Sequence, residues 1–283
     1  MVNFNKLEKP YFIGEIGINH NADMNIVKKL IDAVSACNWD CAKFQKRNPD
    51  VCVPEDQKNN LRRTPWGEMT YIEYKHRIEL TKNNYDLIDQ YSKSKPIDWS
   101  ASVWDLDSLN FLMNYDLPYL KIPSAMMTNK VLVAETAKTG LPVIMSTGMS
   151  TLREVDDAVN NVLKYTNNLV LMHTNSSYPT PCDELNLSLI PFLKNRYECT
   201  VGYSGHESDL EPTVVAVVLG ARVIERHITL SHDLWGTDQK ASLEVLGMDM
   251  LYKRTKDISI MLGSSEKLVT PSEINIRKKL RGD

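Results

Sequence analysis

Short apolar runs alternate with amphipathic segments along the whole chain. Eight runs have the length and the β-branched or aromatic content of buried strands. They are residues 11–18, 41–45, 99–104, 119–124, 142–147, 169–175, 200–204 and 222–228. Between them, segments such as 24–36, 152–165 and 212–220 repeat their apolar residues with the 3.6-residue period of a helix. This alternation predicts a single α/β domain over residues 1–283, in which eight parallel strands close into a (β/α)8 TIM barrel.

An open, doubly wound sheet is the competing architecture. It would carry a glycine-rich turn after the first strand, but Gly14 and Gly17 lie inside that strand. Polar side chains at Thr128, Asn129, Ser150 and Thr151 also stand where helices of a barrel would begin. The closed barrel is therefore favoured.

One connection, between the second and third predicted strands, is longer than the others. It contains an insert, residues 46–83, with three aromatic side chains available for packing: Trp66, Tyr71 and Tyr74. Long loops in compact domains are usually functional or disordered. The aromatic content favours a lid or rim element over disorder.

Composition and charge exclude several classes of protein. Of the 283 residues, 42% are hydrophobic and the formal net charge is −3, so neither disorder nor a global attraction to nucleic acid or to an anionic membrane is expected. The sequence has no apolar stretch approaching the roughly 18 residues of a membrane span, and no apolar secretory segment near Met1. The five cysteines suggest no disulfide framework. We therefore expect a cytoplasmic protein with reduced thiols.

Polar residues are concentrated at the ends of the predicted strands, where barrel enzymes place their chemistry. A barrel strand covered by helices should be almost continuously apolar, and buried charges are costly unless they serve a site. In chain order the candidates are Glu15, Lys43, Gln45, Ser102, Lys121, Ser124, Ser146, Thr147, His173, Asn175, Ser204, His206, Glu225 and His227. The pattern indicates catalysis.

The residue types narrow that chemistry. His206 and His227, with Glu15 nearby after barrel closure, suit Mn, Fe, Co or Zn; a hydrogen-bonded pair of core histidines is the alternative. Lys43 and Lys121, with the serine hydroxyls, suit a phosphate or a carboxylate. A buried lysine could instead form a Schiff base, as in an aldolase that uses no metal.

Four other residues are expected to have lesser roles. His20 is expected to stabilise a turn, and Glu225 to orient a neighbouring ligand rather than to bind metal. His76 and His232 lie in polar stretches, where we expect them to be solvated.

Seven short stretches of the sequence resemble, in order, the sialic acid synthase family. They are Gly14–His20, Lys121–Ser124, Ser146–Met149, Ser177–Pro181, Gly202–His206, Val223–His227 and Gly236–Asp238. The resemblance implies a barrel enzyme that condenses phosphoenolpyruvate with an aldose to a nonulosonic acid. It also implies a divalent metal, usually manganese, and a homodimer.

The resemblance assigns a role to each matching position. It implies metal binding by His206 and His227, and phosphoenolpyruvate contacts by Lys43, Lys121, Ser102, Ser124, Ser146 and Ser204. It places the acceptor sugar against Gln45, Tyr178 and Asp238, with Asn175 and Ser176 close by. Glu15 is the candidate to position or deprotonate water, and Glu15, Lys43 and Lys121 are the predicted catalytic residues.

Three departures from the family leave the acceptor open. Ala125-Met126 replaces a family acid that contacts the acyl-amino sugar, and Gly205 replaces an aspartate before the first metal ligand. Most members continue into an antifreeze-like domain that supplies an arginine to the site; this sequence ends at Asp283, so we expect a barrel without that domain. Arg62 or Arg63 of the insert could substitute for the arginine. The acceptor could thus be N-acetylmannosamine, another aldose or a sugar phosphate, as in octulosonate phosphate synthesis. The non-catalytic alternative is a barrel that only binds sugar.

Overall fold

A computed structural model describes residues 2–282 of the chain. Its strands are β1 (Tyr11–Gly17), β2 (Cys41–Lys46), β3 (Leu61–Thr64), β4 (Gly67–Thr70), β5 (Asp98–Val103), β6 (Leu120–Ile122), β7 (Val143–Ser146), β8 (Leu169–His173), β9 (Thr200–Gly205) and β10 (Val223–His227). Eight of these strands form a closed parallel barrel in the order β1-β10-β9-β8-β7-β6-β5-β2, and β3 and β4 form a separate hairpin. The predicted (β/α)8 barrel is confirmed.

The helices cover the outside of the barrel and fill the insert. They are α1 (Met24–Ala36), α2 (Pro49–Cys52), α3 (Tyr71–Ile78), α4 (Lys82–Ser94), α5 (Leu106–Leu112), α6 (Lys130–Lys138), α7 (Leu152–Leu163), α8 (Leu189–Tyr197), α9 (Glu211–Val218), α10 (Val245–Thr255), α11 (Ile258–Leu262) and α12 (Pro271–Arg281). Within residues 2–282, no helix combines the length and the apolar character needed to cross a membrane.

Local sequence explains where several elements begin and end. Helix α7 is preceded by its N-cap residue Thr151, whose hydroxyl accepts from the amide of Glu154. The Glu154 carboxylate in turn accepts from the amide of Thr151. Asn129 caps α6 by a single bond, in which its side-chain oxygen accepts from the amide of Leu132. The fourth barrel strand is shorter than predicted because Pro123 lacks an amide proton and a 3-10 turn, Ser124–Met126, follows it.

The core has two layers, as the strand period of two requires. Phe12, Ala42 and Phe44 point outward and join the apolar layer between the barrel and its helices. Tyr11, Ile13, Cys41, Tyr119, Ile144, Val170, Met172 and Val223 point inward and, with Phe4, plug the N-terminal end of the barrel. The inward positions further along the same strands belong to the candidate site.

The insert, residues 46–83, is folded. It contains α2, the antiparallel β3–β4 hairpin, in which Leu61 pairs with Thr70, and α3. Trp66 and Tyr74 pack against Trp235, with ring centroids 6.3 and 5.5 Å apart. Because Trp235 follows β10, the insert lies beside the C-terminal mouth of the barrel. Its function as a lid stays a prediction.

Candidate active site

The charged side chains of the site occupy the inward-facing positions nearest the C-terminal ends of the strands. On β1 the inward series is Tyr11, Ile13 and Glu15, and on β2 it is Cys41, Lys43 and Gln45. Strand pairing then sets Glu15 directly beside Lys43. The alternation of side chains along these strands therefore places apolar residues at the N-terminal end of the barrel and charged residues at its C-terminal mouth.

Two lysines and two glutamates form a buried ion network at the centre of the mouth. Lys43 Nζ lies 2.6 Å from Glu15 Oε2 and 3.6 Å from Glu225 Oε2. Lys121 Nζ donates to both carboxylate oxygens of Glu225, at 2.8 and 2.9 Å. Each of the four side chains belongs to a residue that is at most 5% exposed. The four charges balance, which makes their burial tolerable.

Electrostatic interactions favour the ionised forms of Glu225 and Lys43. Burial alone would raise the pKa of Glu225, but Lys121 and Lys43 outweigh burial and lower it well below its usual range. Burial would lower the pKa of Lys43, whereas Glu15 and Glu225 raise it overall. Burial and the adjacent Lys43 ammonium lower the pKa of Lys121 against the pull of Glu225. An anion entering the site would take over the lysine contacts that the glutamates now make.

The predicted phosphoenolpyruvate positions share one cavity of about 230 Å³, which is lined by Lys43, Lys121, Ser102, Ser124, Ser146 and Ser204. The Ser102 hydroxyl accepts from Lys43 Nζ at 2.9 Å, and the Ser204 hydroxyl donates to Glu225 Oε1 at 3.0 Å. The Ser124 hydroxyl accepts from the amide of Gly148 at 3.1 Å. The structure thus brings all six predicted residues together, while their roles stay predictions.

His206 and His227 face each other at one side of this cavity, with ring centroids 5.4 Å apart. Burial, with the neighbouring His227, lowers the pKa of His206 to about 3, so its imidazole is neutral. His206 Nε2 lies 2.9 Å from the Tyr178 hydroxyl, and the buried His227 Nδ1 has no hydrogen-bond partner, with Asp238 3.7 Å away.

The neutral imidazole of His206 and the imidazole of His227, with its unused ring nitrogen, fit a divalent cation of the Mn, Fe, Co or Zn type. Across residues 2–282, no cluster of three or more histidine, cysteine or acidic side chains is arranged as a complete metal site. A cation held by His206 and His227 would therefore draw its remaining ligands from substrate or water.

The predicted acceptor residues divide between two places. Gln45, Ser176 and Tyr178 line the cavity, and the amide of Gln45 donates to Glu15 Oε1 at 2.9 Å. Asn175 lines a neighbouring groove instead, where its amide lies 3.4 Å from Glu184 Oε2. Its backbone carbonyl accepts from His206 Nδ1 at 2.5 Å, so Asn175 contacts the histidine pair through its backbone.

Three residues have surroundings that sequence reasoning did not foresee. Glu225, which was expected only to orient a ligand, is the common partner of both lysines. Because Glu225 and His227 are two residues apart on one strand, their side chains point the same way, and this spacing could have predicted that Glu225 faces inward. Buried Arg47 donates to Gln45 and stacks on Trp104, with its guanidinium carbon 4.6 Å from the ring centroid. His173, named at a strand end, faces the helix layer, where Nε2 lies 2.7 Å from the carbonyl of Leu185.

Three other histidines, which were not predicted to belong to the site, lie outside the cavity. His20 Nδ1 accepts from the amide of Ala22 at 2.9 Å, which agrees with its predicted role in a turn. His76 and His232 are each half exposed and lie close to Asp50 and Glu244, respectively. Of the two insert arginines predicted as candidates to serve the site, Arg62 stacks on Tyr71, and Arg63 is exposed at the next position of the hairpin.

The fold and this site define a (β/α)8-barrel enzyme with an anion cavity at the C-terminal ends of its strands. Within that class, the chain belongs to the NeuB family, whose model matches residues 30–267. The predicted family resemblance and the enzyme class of sugar acid synthases are thereby confirmed.

Similar proteins carry names of that class. N,N'-diacetyllegionaminic acid synthase of Campylobacter jejuni is 33% identical over 281 residues, covering 96% of this chain and 84% of the relative. Human N-acetylneuraminate-9-phosphate synthase is 32% identical over 273 residues, covering 95% of this chain and 76% of the relative. In structure, the N-acetylneuraminic acid synthetase of Leptospira borgpetersenii, solved with citrate, matches with a TM-score of 0.86 at 30% identity, covering 98% of this chain and 94% of that one.

Proposed function

We propose that this enzyme condenses phosphoenolpyruvate with the aldehyde of an open-chain aldose, an N-acetylmannosamine-like or related sugar. The product is a 2-keto-3-deoxy sugar acid, and inorganic phosphate leaves. The observation that carries the proposal is the pair of buried lysines, Lys43 and Lys121, set among four serine hydroxyls in one cavity of a NeuB-family barrel. Such a donor set suits the phosphate and carboxylate of phosphoenolpyruvate.

Lys43 and Lys121 would bind this substrate and stabilise the charge that develops on its phosphate. Both ammonium groups are held in place by carboxylates before substrate arrives, so little reorganisation is required at the moment of reaction. The enol carbon of phosphoenolpyruvate attacks the aldehyde, and water adds to the adjacent carbon. The resulting tetrahedral centre then expels phosphate.

Glu15 would accept a proton from that water. Its two oxygens already contact Lys43 Nζ and the amide of Gln45, so the carboxylate is fixed at the boundary between the two substrates' predicted positions. Gln45, Ser176, Tyr178 and Asp238 would orient the acceptor, and Asn175 would contribute through its backbone carbonyl, which contacts His206.

His206 and His227 would hold a divalent metal, for which we propose Mn²⁺. The metal would supply Lewis-acid polarisation of the acceptor aldehyde. The metal-binding role is supported by the partnerless Nδ1 of His227 and by the burial that keeps His206 neutral.

Phosphate release from phosphoenolpyruvate tests the proposal. The purified protein, supplied with Mn²⁺ and phosphoenolpyruvate, is incubated with a panel of aldoses, and the product mass identifies the acceptor used. Lys43→Met and Lys121→Met should abolish release, whereas Lys138→Met, which changes an exposed lysine paired with Glu135, should not. Absence of release with every aldose would refute the proposal.

A Schiff-base aldolase is the second candidate, because the lowered pKa of Lys121 favours a nucleophilic amine. Against it, both oxygens of Glu225 accept from the same Nζ. Borohydride should therefore trap no pyruvate adduct on Lys121; a trapped adduct would favour the aldolase. A homodimer and a cytoplasmic location remain predictions, and light scattering on the purified protein tests the first.

A further inference from the structure

The folded insert presents cations on aromatic rings at the mouth of the barrel. The Arg62 guanidinium carbon lies 3.9 Å from the centroid of the Tyr71 ring. Lys75 Nζ lies 5.2 Å from the same ring and 5.6 Å from the Tyr74 ring. Two positive groups therefore share one aromatic surface, which holds them without neutralising their charge.

Packing fixes this surface next to the predicted acceptor residues. Tyr74 contacts Trp235, and the segment that begins with Trp235 continues directly to Asp238. The Lys75 ammonium is close enough to Asp238 and Arg47 for both charges to act on its pKa. Arg47 in turn is bonded to Gln45 of the cavity. The cations of the insert are therefore linked to the cavity through Gln45, and Lys75 is within electrostatic reach of Asp238, whose carboxylate lies 3.7 Å from His227.

The nearby carboxylates, Asp238 and Glu79, act on the pKa of Lys75 but do not contact its ammonium. Glu79 Oε1 is bonded to Lys46 Nζ at 2.7 Å, and its other oxygen lies 3.8 Å from Arg47 Nε. Between residues 2 and 282, no carboxylate lies within 4 Å of Lys75 Nζ. Burial, followed by Arg47, lowers the pKa of Lys75 to about 8. Around Lys75, the three cations Lys75, Arg47 and Arg62 thus outnumber the two carboxylates, Asp238 and Glu79, that act on it.

We propose that Lys75, with Arg47 and Arg62, forms an anion subsite that binds the phosphate ester of a phosphorylated aldose acceptor. The inference rests on the proposed function and specifies the class of its second substrate. A phosphate ester carries close to two negative charges and three acceptor oxygens, which an ammonium and two planar guanidinium groups can bind together. The subsite is separate from Lys43 and Lys121, which would bind phosphoenolpyruvate.

Paired acceptors that differ only in the phosphate test the subsite. The measured quantity is kcat/KM for N-acetylmannosamine and for its 6-phosphate, at saturating phosphoenolpyruvate and Mn²⁺. We expect the wild-type enzyme to prefer the phosphorylated sugar by at least about tenfold. Lys75→Met should lower kcat/KM for that sugar by roughly 10- to 100-fold, the usual effect of losing a charged hydrogen bond, and should leave the neutral sugar within about twofold.

Two further variants separate charge from structure. Lys75→Arg keeps the charge and should retain most of the preference for the phosphorylated sugar. Arg62→Met should weaken that preference, whereas Arg63→Met, on the adjacent and oppositely directed position of β3, should not. A wild-type enzyme without preference, or a Lys75→Met variant that slows both sugars equally, would overturn the subsite.

A binding measurement distinguishes failure of the subsite from failure of the proposed function. N-acetylmannosamine 6-phosphate is titrated calorimetrically into the wild-type protein and Lys75→Met without phosphoenolpyruvate, so that no turnover occurs. Tighter binding to the wild-type protein supports the subsite even if no aldose is condensed. Equal binding, together with normal condensation of the neutral sugar, rejects the subsite and leaves the proposed function standing.

Discussion

Replacing Glu225 by glutamine tests whether the mouth of the barrel is a charge-balanced anion site. The substitution keeps the size of the side chain and removes one of the two buried negative charges. Lys121 loses the ionised partner that now contacts it at 2.8 and 2.9 Å, and Lys43 loses the carboxylate 3.6 Å away. Two ammonium groups then face Glu15 alone.

The cost is set by the burial of these groups. Removing one partner of a buried ion pair typically destabilises a protein by about 3 to 5 kcal/mol, because the other charge stays buried without compensation. We expect Glu225→Gln to lose a free energy of unfolding in that range when no ligand is present.

A bound anion should recover part of this loss. Ligand present at 100 times its Kd stabilises the folded state by about 2.7 kcal/mol, and each tenfold gain in affinity adds about 1.4 kcal/mol. Because the variant has lost a negative charge beside both lysines, it should bind phosphoenolpyruvate more tightly than the wild-type enzyme does. The stabilisation by the same phosphoenolpyruvate concentration should therefore be larger in the variant by at least about 1.4 kcal/mol.

Urea unfolding at neutral pH, with and without phosphoenolpyruvate and without any aldose, measures both quantities. Glu207→Gln is the matched control, since Glu207 is similarly buried and pairs with Arg226 at 3.0 Å, and neither residue of that pair lines the cavity. The control should be destabilised but should gain no extra stability from the anion. Equal gains in the two variants, or a Glu225→Gln variant as stable as the wild-type enzyme, would refute the reasoning.

Three further outcomes are expected. With a pKa of about 8, Lys75 should lose its proton as the pH rises from 7 to 9. The kcat/KM for a phosphorylated acceptor should therefore fall over that range in the wild-type enzyme but not in Lys75→Arg. A flat wild-type profile would contradict this expectation. His206→Gln should weaken Mn²⁺ binding, measured by electron paramagnetic resonance, whereas His232→Gln should not; equal affinities would count against the metal site. Gly148→Ala would place a Cβ 2.4 Å from the Ser176 hydroxyl and 2.8 Å from the Ser124 hydroxyl, so both hydroxyls must rotate away. KM should rise several-fold for the acceptor and for phosphoenolpyruvate, while an unchanged acceptor KM would remove Ser176 from the acceptor site.

Much of the architecture could be predicted from short-range patterns. All eight barrel strands occur where apolar runs predicted them, and α1 has the predicted bounds, because strand and helix periods are local properties of the sequence. The C-terminal ends of parallel strands meet on one face, so the cavity that joins Lys43, Lys121 and the serines also followed from order along the chain.

Side-chain direction and long-range contact were decided by the folded structure. The sequence placed His173 and Asn175 at a strand end, but only the structure shows that the first faces the helices and the second turns toward Glu184. Short strands that end in turns do not fix the direction of the next side chain, because loop geometry determines it.

The sequence by itself determined a closed barrel and the residue types at its catalytic end. The tertiary structure decided which charges balance and which do not. Glu225 became the partner of Lys43 and Lys121 only when barrel closure brought β10 beside β1, and Lys75 reached the acceptor end only when the insert packed against Trp235. Electrostatic energy depends on distances between groups far apart in the chain, and only the folded arrangement sets those distances.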